Sequence, residues 1–463
     1  MVIVFALLTL GVLVGANWYV WRRLFRDTTR RPGLVRRVGA AVIAGGWGLA
    51  IGAIVTERAG APFWLQQTLA WPGFLWLALS IYLLLAVVAG EVVRPLLRRV
   101  LERRAASRRA LRSQEPASAA TPAPASDDVP ALKSSRAAAP SSAAAPSPAA
   151  KPPAAPEPPA APEPAPTPFP DPASASIPDP ASSSTPTPTP EPSRRLFVSR
   201  VVAGAAAAVA VGTVGYGTYG VLRGPRVKRV TVALDKLPRA AHGCRIAVVS
   251  DIHLGPTLGR GFAQKVVDTI NSTQPDIVAV VGDLVDGSVK DLGPAAAPLR
   301  GLDAPSYFVT GNHEYYSGAE QWVEEVRRLG LRPLENARTE LPYFDLAGVN
   351  DIAGESEGRG PDFGKALGDR DTARACVLLA HQPVQIHEAV RHHVDLQLSG
   401  HTHGGQLWPG NFVAAAANPT LAGLDRYGDT QLYVSRGAGA WGPPTRVGAP
   451  SDITVIELAS TRA

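Results

Sequence analysis

Three long apolar stretches lie near the start of the chain, at residues 2–20, 38–55 and 71–89, and a fourth follows much later at residues 201–221. Each is close to the roughly 20 residues that an α-helix needs to cross a hydrocarbon core. The first has no charged segment before it and no small-residue cleavage site after it, so it predicts a retained helix and not a signal peptide. We therefore expect four membrane-spanning helices.

Arginine is unevenly distributed around these stretches. Residues 1–112 contain sixteen Arg and four acidic side chains, a net charge of +12, so the rest of this +7 chain sums to about −5. The arginines cluster at residues 22–37 and 94–112, whereas residues 56–70 have a single Arg. Because excess Arg marks the cytoplasmic side, the pattern predicts an outside N-terminus and an inside first loop. The negative remainder argues against a nucleic-acid partner.

A region rich in Pro, Ala and Ser separates the two halves of the chain. More than half of the 44 prolines lie between residues 116 and 192, where aromatic residues almost vanish. Such a composition buries too little apolar surface to fold, so residues 113–193 are predicted to be a disordered linker. Arg194 and Arg195 begin a segment that resembles a twin-arginine export signal, although Val198 and Ser199 depart from it. Ordinary positive-inside arginines before an anchor helix explain this pair equally well, and both interpretations place the following domain outside the cytoplasm.

Five short β-branched runs follow from about residue 228, separated by helical stretches. This alternation predicts a layered α/β (α+β) sandwich. The runs cover residues 245–250, 276–281, 307–310, 376–380 and 394–399. Each ends in residues of the metal-ligand type: D-x-H, G-D-x-x-D, G-N-H-E, a single His, and G-H-T-H-G-G. Because open α/β sheets build sites at the carboxyl ends of their strands, we expect these side chains to converge.

The chemistry of this set indicates divalent metals. It contains three oxygen donors and four imidazoles and no thiolate, which suits hard or borderline ions. These seven candidates are Asp251, His253, Asp283, Asn312, His381, His401 and His403. They exceed the needs of one ion but suit two ions that share a carboxylate.

The five motifs in this order resemble the calcineurin-like metallophosphoesterase superfamily, over about residues 228–458. The extended G-H-T-H-G-G-Q and the tail from Tyr433 to Gly437 are similar to membrane-anchored bacterial phosphodiesterases. The resemblance implies one metal held by Asp251, His253, Asp283 and His403, and a second held by Asp283, Asn312, His381 and His401. It also implies that His313 acts near the phosphate without binding metal. Asp286 is a motif residue of the family and not a ligand.

The resulting expectation is a membrane-anchored enzyme with four parts. These are a membrane region at residues 1–112, the linker at 113–193, a fourth membrane helix at 194–224 and the metallophosphoesterase domain at 225–463. It would use two divalent ions, from Mn, Fe, Zn or Mg, to hydrolyse a phosphodiester, a lipid-linked ester or a phosphomonoester at the outer face of the cell membrane. The alternatives are a metal-dependent binding or scaffold module and a nuclease.

Three further residues are candidates at the edge of the site. Arg446 is predicted to contact the substrate phosphate. Trp408 and Trp441 lie in Gly/Pro-rich loops, where each would either stack on the substrate or pack against the loop.

Overall fold

The computed structural model of the 463-residue chain describes residues 2–113 and 194–462. Apart from Ser113, which ends a helix, the predicted disordered linker lies outside the described residues.

All four apolar stretches form helices. These are α1 (Val2–Trp21), α2 (Leu34–Arg58), α3 (Phe63–Ser113) and α4 (Arg194–Leu222). Of the helices that the structure describes, three are long and apolar enough to cross a membrane: Leu34–Arg58, Phe63–Arg108 and Arg194–Leu222. The membrane crossing of α1 stays a prediction. The paired Arg194 and Arg195 form the first turn of α4 and are continuous with its apolar part.

The arginine-rich segments meet at one end of the helical region. Arg23 forms ion pairs with Asp27, at 2.9 Å, and with Glu91 of α3, at 2.8 Å. Arg200, near the start of α4, donates a hydrogen bond to the carbonyl oxygen of Thr28 at 3.0 Å. The other end of α4 leads within a few residues into the first strand. The folded C-terminal half therefore follows the end of α4 that is opposite to the arginine-rich segments.

Two six-stranded sheets form the centre of the C-terminal half. The first has the order β1-β12-β2-β3-β4-β5 and the second β10-β11-β9-β8-β7-β6. The strands of the first sheet are β1 (Arg226–Leu234), β2 (Cys244–Val249), β3 (Ile277–Val281), β4 (Ser306–Val309), β5 (Arg332–Pro333) and β12 (Asp452–Ser460). Those of the second are β6 (Ala337–Glu340), β7 (Asp345–Gly348), β8 (Cys376–Leu379), β9 (Leu396–Ser399), β10 (Gly423–Tyr427) and β11 (Thr430–Val434).

The strands that precede the five motifs are parallel to one another within each sheet. β2, β3 and β4 pair in parallel in the first sheet, and β8 and β9 pair in parallel in the second. Both faces of these strands are buried, which explains their continuous apolar runs. The carboxyl ends of all five strands carry the motifs.

The sheets pack face to face, and helices cover their outer faces. Ile246 and Val248 of β2 point to the core between the sheets, where they share a cluster with Leu379 and Leu398. Ala247 and its neighbours on the other face pack against the helices α5 (Arg260–Ser272), α6 (Val289–Ala296) and α8 (Ala319–Arg328). The second sheet packs similarly against α9 (Phe363–Leu367) and α10 (Ile386–Arg391). The predicted α/β sandwich is thus confirmed, with four layers.

The remaining helices are short and connect the strands. They are α5 (Arg260–Ser272), α6 (Val289–Ala296), α7 (Asn312–Ser317), α8 (Ala319–Arg328), α9 (Phe363–Leu367), α10 (Ile386–Arg391) and α11 (Gly410–Ala417).

Loops of the sandwich contact the apolar helices directly. Tyr82 of α3 donates its hydroxyl hydrogen to the carbonyl oxygen of Trp408 at 2.9 Å. The hydroxyls of Thr218, on α4, and Thr445 lie 2.7 Å apart. A Cβ at Gly217 would come within 2.7 Å of the carbonyl oxygen of Arg446, so glycine permits this close approach. The helices and the sandwich therefore share an interface.

Candidate metal centre

The motif residues converge on one edge of the sandwich. Asp251 and His253 follow β2, Asp283 follows β3, and Asn312 begins α7 after β4. From the second sheet, His381 follows β8, and His401 and His403 follow β9. The side chains are largely buried: Asp251, His253, Asp283 and His381 are each at most 2% exposed. All seven predicted ligands therefore meet where the two sheets share an edge.

The backbone at this edge is unusual. Asp251, His253, Asp283, His401 and His403 all have positive φ angles, between 48° and 72°. Residues other than glycine seldom adopt this left-handed conformation, and its cost is typically about 1–3 kcal/mol at each position. Here the left-handed conformation turns the backbone sharply at the end of each strand and directs the side chain into the cluster. The strain is concentrated where ligand-type side chains are needed.

Two clusters with the geometry of metal sites share one carboxylate. Asp251, His253, Asp283 and His403 offer ligand atoms that all lie within 4.8 Å of one another. Asp283, His381 and His401 form a second such group. These are the two sets that the family resemblance implied, and the carboxylate of Asp283 belongs to both.

Asn312 completes the second cluster. Its Oδ1 lies 3.0 Å from Nδ1 of His401. Because an amide oxygen only accepts, this contact needs either a proton on Nδ1 of His401 or a cation between the two atoms.

The hydrogen bonds of the imidazoles fit a cation. His381 Nδ1 donates to the carbonyl oxygen of Val281 at 2.9 Å, so its buried Nε2 is the atom that faces the site, 3.2 Å from Oδ2 of Asp283. Burial lowers the pKa of His381, but the charge of Asp283 outweighs burial and raises it well above its ordinary value, so a metal ion at this Nε2 would take the place of a proton. His253 Nδ1 likewise donates to Asp286, and its Nε2 lies 3.0 Å from Nε2 of His403. Facing lone pairs repel unless a proton or cation lies between them, so the residues present fit divalent ions.

Burial keeps two of these imidazoles neutral. It lowers the pKa of His401 to about 4, with a further contribution from the charge of His381. Burial, His253 and Arg446 together hold the pKa of His403 well below its ordinary value. A neutral ring can offer a lone pair to a metal near pH 7.

His313 lies beside the first cluster. Its Nδ1 is 2.7 Å from Oδ1 of Asp286, the same oxygen that accepts from His253 at 2.8 Å. Burial lowers the pKa of His313, but the hydrogen bond and charge of Asp286 outweigh burial and raise it to about 9. Burial also opposes ionisation of Asp286, yet the two imidazoles outweigh it and lower the pKa of that carboxyl to about 2. One carboxylate thus orients both a predicted ligand and the predicted catalytic histidine.

Aromatic rings flank His313. Tyr316 and Trp441 contact its imidazole edge-on, with ring centroids 5.4 and 5.7 Å away. Both side chains are exposed. Stacking of Trp441 on the substrate and packing of Trp441 in its loop both stay predictions. Its ring lies beside His313, at the mouth of the site.

Two acidic residues near the site, Glu314 and Glu57, were not predicted from the sequence to have a role. Glu314 belongs to the G-N-H-E motif, and its buried carboxylate accepts hydrogen bonds from the backbone of Gly311, Asp283 and Leu284 at 2.6, 3.0 and 2.8 Å. It therefore ties the loop after β3 to the loop after β4. Glu57, at the end of α2, interacts electrostatically with Asp286 and His313. The sequence placed Glu57 in the loop after the second apolar stretch, where nothing indicated this contact.

Arg446 lies behind His403, buried to 6% exposure. Its guanidinium donates to the carbonyl oxygens of Gly439, His403 and Ala449 at 2.6, 3.0 and 3.2 Å. A further nitrogen lies 3.1 Å from Nδ1 of His403. Contact of Arg446 with the substrate stays a prediction, and these bonds give the side chain a role in supporting His403.

Comparison with known proteins agrees with this geometry. The sequence profile of the calcineurin-like phosphoesterase family matches residues 244–405. A zebrafish (Danio rerio) protein named "transmembrane protein with metallophosphoesterase domain" is 40% identical over 259 residues, which cover 52% of this chain and 59% of that protein. An uncharacterized metallophosphoesterase of Helicobacter pylori (strain J99) is 38% identical over 247 residues, covering 52% of this chain and 66% of its own length. The chain thus spans less than two thirds of either relative.

A third relative is covered almost completely. An uncharacterized metallophosphoesterase of Aquifex aeolicus is 35% identical over 240 residues, which cover 50% of this chain and 91% of that protein. The residues that the family profile matches, 244–405, include both ligand clusters. The chain therefore belongs to the calcineurin-like metallophosphoesterase family.

Proposed function

We propose that this protein is a membrane-anchored phosphodiesterase with two divalent metal ions. The observation that carries the proposal is the pair of ligand clusters that share Asp283, with His313 beside them. Asp251, His253, Asp283 and His403 would hold one ion, and Asp283, Asn312, His381 and His401 the other. When bound, the two ions would offset the charge on the phosphoryl oxygens and make a water molecule nucleophilic at neutral pH.

His313 would act as the proton donor. Its raised pKa keeps the imidazole protonated near neutral pH, and the hydrogen bond from Nδ1 to Asp286 leaves the proton on Nε2 for the leaving oxygen. Asp286 stabilises the charged ring and fixes its orientation. Buried Glu314 would hold the loops of Asp283 and Asn312 at a constant separation.

The rim of the site favours a diester over a monoester. Tyr316 and Trp441 offer exposed aromatic surface next to His313. A diester has a second organic substituent on its phosphate that can rest on aromatic rings. A monoester lacks that substituent and gains nothing from this surface.

The test is hydrolysis of bis-p-nitrophenyl phosphate and of p-nitrophenyl phosphate by the purified full-length protein with added Mn²⁺. We expect the diester to be the better substrate. His313→Ala should lower kcat by about a hundredfold or more, whereas His387→Ala, a histidine on α10, should leave it unchanged. Absence of hydrolysis despite two bound ions would refute the enzyme and favour a binding module. Full activity of His313→Ala would refute the role of that residue.

We further propose the predicted domain organisation, with a membrane region at residues 1–112, a linker at 113–193, a fourth membrane helix at 194–224 and the catalytic domain at 225–463. The name of the zebrafish relative supports membrane insertion. Arginine-rich segments at the helix end opposite to the sandwich support an extracytoplasmic catalytic domain, since Arg-rich ends stay in the cytoplasm. Protease added to intact spheroplasts should digest the C-terminal domain, and full protection of that domain would refute this topology.

A further inference from the structure

The loop that follows the last two metal-site histidines continues into an exposed apolar helix. Helix α11, Gly410–Ala417, has the sequence GNFVAAAA, without a charged side chain and without a buried residue. Phe412 is 65% exposed and Val413 74% exposed, and Trp408, just before the helix, is 48% exposed. Contiguous exposed apolar surface of this kind is unfavourable in water and typically marks an interaction surface.

This loop lies among the apolar helices. The carbonyl oxygen of Trp408 accepts the hydrogen bond from Tyr82, and Leu407 packs with Ala78, Tyr82 and Val214. Tyr82 lies eleven residues after Trp71, which starts the predicted span, or about 16 Å along the helix axis. If α3 crosses the bilayer, the loop that leads to α11 lies at the depth of lipid.

The same loop is joined to the mouth of the site. The side-chain nitrogen of Gln406 donates to the carbonyl oxygens of Trp441 and Pro443 at 2.9 and 3.1 Å, and its oxygen accepts from the backbone of Trp441 at 3.0 Å. Trp441 in turn contacts His313. A Cβ at Gly405 would collide with Asn411, so the metal-site loop and α11 are packed together. Hydrogen bonds and packing thus connect Trp441, beside His313, to α11.

We propose that α11 and Trp408 insert into the outer leaflet of the bilayer, and that the substrate is a lipid phosphoester with a long alkyl chain, drawn from that leaflet. The inference rests on the proposed phosphodiesterase function. The bilayer is the occupant of the apolar surface because the loop packs against helices that are long and apolar enough to span a membrane. Trp408, Phe412 and Val413 are side chains that favour the membrane interface and acyl boundary. The phosphate then reaches the metal clusters while its alkyl chain remains in lipid.

Two diesters with the same reacting centre test this inference. Methyl p-nitrophenyl phosphate and hexadecyl p-nitrophenyl phosphate release the same nitrophenolate when water attacks phosphorus and the phosphorus–oxygen bond to that group breaks. They differ only in the alkyl chain. The full-length protein is reconstituted into phosphatidylcholine vesicles, and kcat/KM is measured for both. The variants are Phe412→Glu on α11 and, as a matched control, Tyr343→Glu.

Tyr343 is a suitable control because it is an exposed aromatic residue, 43% exposed against 65% for Phe412, at the opposite ends of the strands from the metal site. It lies two residues before β7, which runs parallel to β8, whereas His381 follows the end of β8. Tyr343→Glu also reveals how much of any preference comes from the concentration of hexadecyl ester in the vesicles.

We expect the wild type and Tyr343→Glu to prefer the hexadecyl ester. Phe412→Glu should lose roughly tenfold or more of that activity and retain the rate with the methyl ester, which also shows that it is folded. Equal loss with both esters, or no loss with either, would overturn the inference while leaving the phosphodiesterase intact. Hydrolysis of neither ester by the wild type would refute the proposed function itself. Conversion of a dimer into a monomer by Phe412→Glu would assign the surface to self-association and also overturn the inference.

Discussion

Removal of the Glu314 carboxylate tests how the structure holds the two metal-site loops together. This side chain is fully buried and accepts three backbone hydrogen bonds, from Gly311, Asp283 and Leu284. Glu314→Ala leaves these three N–H groups buried without their acceptor. Each unsatisfied group costs about 1–3 kcal/mol, so the gross loss is roughly 3–9 kcal/mol.

Part of that loss is offset. Burial, together with the charge of Asp283, raises the pKa of Glu314 to about 7, which means that ionisation of this carboxylate lowers the stability of the folded protein. The substitution removes that cost. We therefore expect a net loss near the lower limit, about 3 kcal/mol in the free energy of unfolding. For a domain of this size the melting temperature should fall by about 6–12 °C.

The assay is thermal unfolding of the full-length protein in detergent, monitored by tryptophan fluorescence, with EDTA present so that lost metal binding does not contribute. Glu324→Ala is the matched control, because Glu324 is an exposed residue of α8 that pairs with Arg327 at the surface. Its effect should stay within about 0.5 kcal/mol. A fall in melting temperature below about 2 °C for Glu314→Ala would show that the three hydrogen bonds do not hold the loops.

Three other predictions follow from the same geometry. Asp286→Asn removes the charge that His253 and His313 share, and should lower kcat by about ten- to a hundredfold in the chromogenic diester assay; an unchanged kcat would exclude the coupling. Gly311→Ala should lower metal affinity and activity, because its Cβ would collide with the carboxylate of Asp283. Gly261→Ala on α5 is the control and should be neutral, since its Cβ meets open space. Calorimetric titration with Mn²⁺ compares the two variants, and equal affinities would contradict the argument. Burial raises the pKa of Cys376 to about 12, so at pH 8 its thiol should react with iodoacetamide only after unfolding, and rapid labelling of the folded protein, read by peptide mass, would contradict its burial.

Local sequence determined the strands and the identity of the ligand-type residues. The five apolar runs match β2, β3, β4, β8 and β9 to within about two residues at each end. They could be predicted because parallel strands buried on both faces need uninterrupted β-branched and apolar side chains. The metal-ligand residues after each run could be predicted as well, because few side-chain types bind divalent ions. The apolar helices follow from segment length in the same way.

The assignment of strands to sheets could not be predicted locally. β2, β3 and β4 lie in one sheet and β8 and β9 in the other, so the site is built at an edge that two sheets share. That division depends on pairings between distant segments, such as β12 with β2 and β1 with β12, which no short stretch encodes.

The directions of side chains and the contacts between distant elements could not be predicted from the sequence either. Arg446 was predicted to contact the substrate phosphate, and only the structure shows that it also donates to carbonyl oxygens and lies beside Nδ1 of His403. Glu57 was expected in a loop and Tyr82 in an apolar helix, and only packing brings the first near His313 and the second against Trp408. The sequence by itself therefore determined which residues carry the chemistry. Tertiary structure decided where the helices lie against the site, because contacts between distant segments depend on the packing of the whole chain and not on local pattern.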